Sequence, residues 1–271
     1  MKKTINLVLG CGLLLLLMTG CTTDEAKYDT SVVRDFQIQI NNVPYVLNTG
    51  IQTKFIFIFK ENGDYFANYS SHFQFALENG KYKFVASDIP EAMISSPINL
   101  NDLVIRQAPA GDQKVNISDA MSYASPFADT LTMNILTRTG TLRLKAKDIV
   151  ADPSYSTIKA TVFVKRSGFK VSDGTYVKED MSVVRSKKTA TGGINYLDDF
   201  IVFQTDEDAN NVSIRLEFLD ANSVVVNTKE LAGTFPILPN GVTSIDFNLN
   251  DPDTPIIKDY VVTINGVIVT K

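Results

Sequence analysis

The chain is 271 residues long, with 26 basic and 30 acidic side chains, a formal net charge of −4, one His, two Cys and no Trp. This acidic balance disfavours nucleic acid as a partner, and so few His and Cys leave a His/Cys zinc cluster without ligands. Its length and 44% hydrophobic content suffice for two domains of ordinary size.

Residues 1–20 read as an export signal. Met1-Lys2-Lys3 gives a short positive end, and Ile5 to Met18 is mostly apolar, broken by Asn6, Gly10 and Gly12. That run is too short for a bilayer, which needs about 20 apolar residues, and has the size of a secretory signal's apolar region. Met18-Thr19-Gly20-Cys21 resembles a bacterial lipobox, which makes Cys21 the expected site of lipidation by diacylglycerol and palmitate. The alternative is an ordinary signal peptide with an accidental Cys. Cleavage before Cys21 leaves 271 − 20 = 251 residues, with 24 basic against 30 acidic, a net −6. Cys11 departs with the signal. The folded part then holds neither a free thiol nor a disulfide, so its core alone supplies stability. Residues 21–34 form the acylated N-terminus and a polar tether.

Period-two patterns follow. "FQIQI" (36–40) sets Phe36, Ile38 and Ile40 on one face. "KFIFIFKENGDYF" (54–66) is apolar on both faces, with Asn62-Gly63 as a tight turn. "HFQFALENGKYKFVA" (72–86) predicts a hairpin turning at Asn79-Gly80. Residues 87–128 lose the pattern and predict a long connection with a short helix near Ser118–Tyr123. Strands resume at 130–136, 141–149, 157–168, 200–205, 212–228, 243–249 and 259–270. The order of strand 36–40, strand 54–60 and "KENG" is echoed by 141–147, 158–165 and "KRSG". The echo predicts two similar β-sandwiches, over 35–128 and 129–271. The expected boundary is the Pro/Asp/Ser-rich stretch at 125–130, with Asp152-Pro153 as the second choice.

Catalytic chemistry finds no constellation in the sequence. His72 stands at a strand start with no visible nucleophile or carboxylate partner. "DEDANNVSIRLE" (206–217) places Asp206, Asp208, Asn210 and Glu217 as a calcium loop would, but Asn211 replaces the turn Gly. The spacing of Val212, Ile214, Leu216 and Phe218 instead predicts a polar tip and a strand, with loose surface calcium at 206–210 left open. Asp198-Asp199 and Asp251-Pro252-Asp253 are further acidic pairs, but neighbouring strand carboxylates face opposite ways. The expectation is a non-enzyme with no cofactor and no metal. Absence of Trp weighs against a sugar-stacking platform, although Tyr65, Tyr69 and Tyr82 retain stacking faces.

The ordered set of lipobox, "FIFIFKENGDYF", "ENGKYKFVASD", "LTMNILTRTGTLRLKAKD" and "FPILPNGVTSIDFNL" is similar to the Bacteroidales fimbrillin superfamily, the lipoprotein subunits and anchors of type V pili. The resemblance implies an all-β fold of two transthyretin-like sandwiches in tandem, a fimbrial structural or adhesive role, and pilus subunits or surface ligands as partners. It also implies strand complementation between subunits. Asp24-Glu25 behind the cysteine resembles the signal for display on the outer face, which implies a lipid-anchored, surface-exposed outer-membrane protein. Stalk subunits of the family are cut after an Arg, and Arg34 is the first Arg after Cys21. Here residues 22–34 are mostly polar and hold no strong strand to remove, and the cut would discard the lipid. That departure favours an uncleaved anchor or minor subunit. The C-terminal run from Tyr260 to Val269 is expected in its own sheet, with a neighbour's groove as the alternative. The rival reading is a surface glycan-binding lipoprotein of a nutrient-uptake system.

Overall fold

The computed structural model describes residues 33–40, 43–44, 55–69, 74–89, 99–125, 130–147, 154–189, 194–205, 211–231, 233–249 and 260–269. The proposed signal, Cys21, His72, Asp206, Asp208, Asn210, Asp251 and Asp253 lie outside them.

The first half contributes β1 (Val33–Ile40), β2 (Val43–Pro44), β3 (Phe55–Lys60), β4 (Tyr65–Tyr69), β5 (Gln74–Glu78) and β6 (Lys81–Ser87). It continues with β7 (Val104–Arg106), β8 (Asn116–Ile117), β9 (Met121–Ala124), β10 (Thr130–Met133) and β11 (Leu136–Thr137). The second half contributes β12 (Thr139–Lys147), β13 (Thr157–Val164), β14 (Gly168–Lys170), β15 (Thr175–Val177), β16 (Met181–Lys188) and β17 (Ile194–Phe203). After these come β18 (Ser213–Leu219), β19 (Val225–Glu230), β20 (Val242–Asn248), β21 (Tyr260–Ile264) and β22 (Val267–Val269). The fold is all-β, as the period-two patterning requires.

The internal echo is present in the strand pairing. β1 lies between β10, which runs parallel to it, and antiparallel β5; β12 lies between parallel β20 and antiparallel β17. β3 lies between β4 and β6, and β13 between β16 and β18, all antiparallel. Each half therefore places its first long strand in one sheet and its second in the facing sheet.

Side-chain alternation sets the cores. β12 and β18 alternate buried and less buried positions, and Leu142, Leu144, Val162, Ile214, Phe218 and Ile245 pack between the two sheets of the second half. β3 is buried on both faces for a reason the pattern alone does not give. Ile56 and Ile58 join Leu77, Phe84, Leu131 and Met133 between the facing sheets. Phe57 and Phe59 point the other way, under a second layer formed by Leu103, Ile105 and Ile117 together with Phe169 and Phe203 from the second half. Full burial of such a side chain contributes about 1.5–3 kcal/mol.

Three expectations need correction. The helix near Ser118–Tyr123 is the strand β9, whose Lys81↔Ala124 to Phe84↔Met121 register lies along β6. The hairpin over 72–86 is an arch: β5 pairs with β1, and β6 pairs with β3 on one edge and with β8 and β9 on the other. With both edges of β6 taken, β5 crosses to the facing sheet, and Leu77 meets Phe84 through the core. Finally, β10 and β11, which the expected division assigns to the second sandwich, pair with β1 and β8 of the first. Strand partners change between Thr137 and Thr139.

The halves also share a sheet. β14 lies between β15 and β7, with Phe169 opposite Ile105. Arg138 stacks 4.6 Å over Phe169, and Arg166 4.1 Å over Tyr176, contacts of a kind worth about 0.5–2 kcal/mol each.

Candidate functional site

The sequence reading places function on the tether and on strand edges. At the tether end, Val33 pairs with Glu78 and Arg34 with Leu77. Arg34 thus stands inside β1, one residue past Val33, where its described pairing begins. A cut after Arg34 would shorten this strand while leaving Gln37–Ile40 on β10.

Beside this end, Lys60, Glu61, Phe66, Glu78, Lys81 and Tyr82 line an open groove of about 420 Å³. The β3–β4 turn forms one wall: Gly63 adopts φ +92°, Gly63 N–H donates to the Lys60 carbonyl at 2.8 Å, and Asn62 and Asn99 both hold the Asp64 carboxylate. Phe66 is 43% exposed and meets Tyr82 edge-on at 5.6 Å. Lys81 and Glu61 pair at 3.1 Å across the groove, both largely exposed. Burial, reinforced by Glu78, raises the Tyr82 hydroxyl above its usual range. This arrangement presents an aromatic face among polar groups and no activated nucleophile.

In the second half the Asp198-Asp199 pair does structural work. Asp199 accepts a two-pronged bond from Arg143 at 2.7 and 2.6 Å. Asp198 is buried and pairs with Arg185 at 3.1 Å. Burial raises its carboxyl above the usual range, against the opposing pull of Arg185 and Lys187. Glu217 sits on β18 and pairs with Lys159 on β13 at 2.6 Å, as strand spacing predicts and as a calcium ligand would not. Val212, Ile214, Leu216 and Phe218 are all buried. Among the described residues, no group of three His, Cys, Asp or Glu is placed to hold a metal, and the structure brings none of the sequence-derived candidates into one pocket.

The strand edges differ from one another. β19 and β22 each end a sheet. The turn before β19 is closed by the Asp220 carboxylate, which accepts from the Asn222 and Val224 N–H groups. It presents Val224, Val225 and Val226 at 58%, 44% and 46% exposure. β21 joins β20 of its own sheet through Thr243↔Ile264 to Phe247↔Tyr260, and β22 folds back on it. β22 leaves Val267 and Ile268 more than 60% exposed. Native sheets usually blunt such edges. Sequence reasoning missed β7, β8, β15, β16 and all but the first residue of β14; the signal in β16 is faint because Val183 is its one fully buried side chain.

No family model matches the chain, and no curated protein matches it in sequence. Solved structures do match. A candidate adhesin from Bacteroides ovatus is 8% identical with a TM-score of 0.55, over 88% of this chain and 94% of that one. A candidate polysaccharide-binding protein from Bacteroides thetaiotaomicron is 13% identical, TM-score 0.54, over 88% and 97%. A candidate adhesin from the same species is 11% identical, TM-score 0.52, over 89% and 99%. Across nearly its whole length, the chain is similar in fold to these Bacteroides candidate adhesins and the candidate polysaccharide-binding protein.

Proposed function

We propose that the protein is a fimbrial structural or adhesion lipoprotein of the outer membrane, held by lipid on Cys21 and serving as an anchor or minor pilus subunit. The observation that carries this reading is the shared fold with Bacteroides candidate adhesins along nearly the full chain. The lipobox resemblance at Met18–Cys21 supports the anchor, and the tether expected over 21–34 would lead into β1, whose described residues begin at Val33. The sheet-end positions of β19 and β22, with exposed Val224–Val226, Val267 and Ile268, support assembly by strand complementation, in which backbone bonds give affinity and alternate side chains give specificity.

The test is to express the full chain and its Cys21→Ser variant in a Bacteroides host with an alkyne-palmitate label. The expected result is label on the native chain alone, protease accessibility on intact cells, and cross-links to fimbrial subunits. An unlabelled native chain that never cross-links to fimbrial material would overturn the reading.

A second reading, glycan binding, is favoured by the Phe66 groove and by the fold shared with a candidate polysaccharide-binding protein. It expects glycan-array binding that Phe66→Ala abolishes. A native chain that binds no glycan ends it.

A further inference from the structure

β17 ends its sheet just as β19 and β22 do, yet its outer edge is not bare. In an antiparallel strand every second residue turns both its N–H and its C=O outward. On β17 these residues are Leu197, Asp199, Ile201 and Phe203. The Leu197 carbonyl accepts from Lys187 Nζ, and the Asp199 carbonyl from an Arg185 guanidinium nitrogen. The Ile201 carbonyl accepts from Gln107 Nε2 at 2.8 Å, and its N–H donates to the Gly111 carbonyl at 2.6 Å. The Phe203 N–H donates to Gln107 Oε1 at 3.1 Å.

The Gln107 amide therefore bonds the C=O of one residue and the N–H of the residue two further on. That is the pair of bonds one residue of a neighbouring parallel strand would make. Gln107 is buried, and its own N–H is fixed to the Ser167 carbonyl at 2.8 Å. Gly111 lets its loop lie this close: with φ +59°, a Cβ there would stand 2.5 Å from Val183 Cγ1.

The two basic residues have a different origin. Val183, Arg185 and Lys187 share one face of β16 by period two. Val183 enters the core, whereas the next two positions carry side chains too polar to bury. They reach sideways to β17, and Arg185 gains the ion pair with Asp198 on the way. Inward-pointing charged residues are one of the devices by which sheets refuse an extra strand.

We propose that Gln107, Arg185 and Lys187 act together as a side-chain strand that closes β17, so that strand addition to the second sandwich is barred at this edge and confined to others. The closure stands without the pilus reading; its use, giving direction to subunit assembly, rests on that reading.

The test uses purified protein and a fluorescent peptide copying Thr139–Lys147, the natural neighbour of β17 on its other edge. Arg185 is replaced together with its buried partner, as Arg185→Met, Asp198→Asn and Lys187→Met, so that no lone charge is left inside. Lys187→Ala alone is the second variant, at an exposed residue whose loss leaves the core intact. Fold is checked by circular dichroism, and the bound peptide is mapped by photo-cross-linking. The expected result is cross-linking at β17 with affinity at least about tenfold above wild type for the triple variant. Weaker uptake is expected for Lys187→Ala, and none for Lys187→Arg. Folded variants that take up no more peptide than wild type would overturn the proposal, as would wild-type protein that binds the peptide at β17 equally well. Because no pilus component enters the assay, failure here is distinguishable from failure of the lipoprotein reading.

Discussion

Asn62-Gly63 and Asn79-Gly80 are the same dipeptide between similar apolar runs, and they do opposite things. The first closes a hairpin in which β3 and β4 pair directly, with Gly63 at φ +92°. The second closes no hairpin: Gly80 keeps a negative φ, its N–H goes to Ser125 Oγ at 3.0 Å, and its carbonyl accepts from Ser125 N–H. The difference lies in what already occupies the next strand. β4 finds an open edge on β3, whereas β6 is flanked by β3 on one side and by β8 and β9 on the other. Turn chemistry proposes a partner, and edge occupancy decides whether the pairing forms.

The largest effect should come from the contact that replaces hairpin pairing at the arch. Phe84 is fully buried against Leu77 and Met133. Phe84→Ala is expected to cost about 3–5 kcal/mol, read as a fall in Tm of roughly 2–4 °C per kcal/mol. Loss of under about 1 kcal/mol would mean that something other than core stacking holds the arch.

The next contrast sets the two glycines against each other. Gly63→Ala forces an alanine to φ +92° with its Cβ 2.9 Å from Asn99 Oδ1, an expected cost of about 1–3 kcal/mol. Gly80→Ala meets only the Tyr82 ring edge at 3.2 Å and should stay within about 1 kcal/mol of wild type. Denaturant midpoints of the two variants decide this, and equal losses would erase the distinction between hairpin and arch.

Ser125→Ala removes the acceptor at Gly80 N–H and should cost about 1 kcal/mol. The signature is faster amide exchange at Gly80 with Gly63 unchanged. The smallest effect is alkaline. The Tyr82 hydroxyl is raised above the usual 10 by burial first and Glu78 second. The folded chain therefore holds this proton where the unfolded chain has lost it, and stability falls as pH climbs from 10 toward the higher value. Tyr82→Phe should remove that fall and leave neutral-pH stability nearly unchanged, checked by urea titrations at several alkaline pH values.

The same logic explains what the sequence could reveal. β12, β13 and β18 were legible because alternation along one strand reports its buried face directly. The echo of the two halves was legible because it repeats strand order. β9 read as part of an irregular stretch because none of its side chains is fully buried. β5 read as half of a hairpin because sequence shows spacing and not which edges are vacant. The closure of β17 was beyond reach, since Gln107 and Ile201 lie 94 positions apart and no local pattern links them. His72 and the 206–210 tip lie outside the described residues. The Arg34 reading came from resemblance; its place inside β1 came from pairing. The groove at Phe66 was half legible, with Tyr82 named from sequence and Phe66 not singled out.

β1 and β10 run parallel, with Gln37–Ile40 alongside Thr130–Met133. Tension drawn from the Val33 end and resisted through Met133 and the strands beyond would pull these two strands lengthwise past each other. Bonds loaded that way share the force and must break together, whereas a zipper opens one bond at a time. A load applied along β1 would therefore meet its resistance at this parallel pairing all at once.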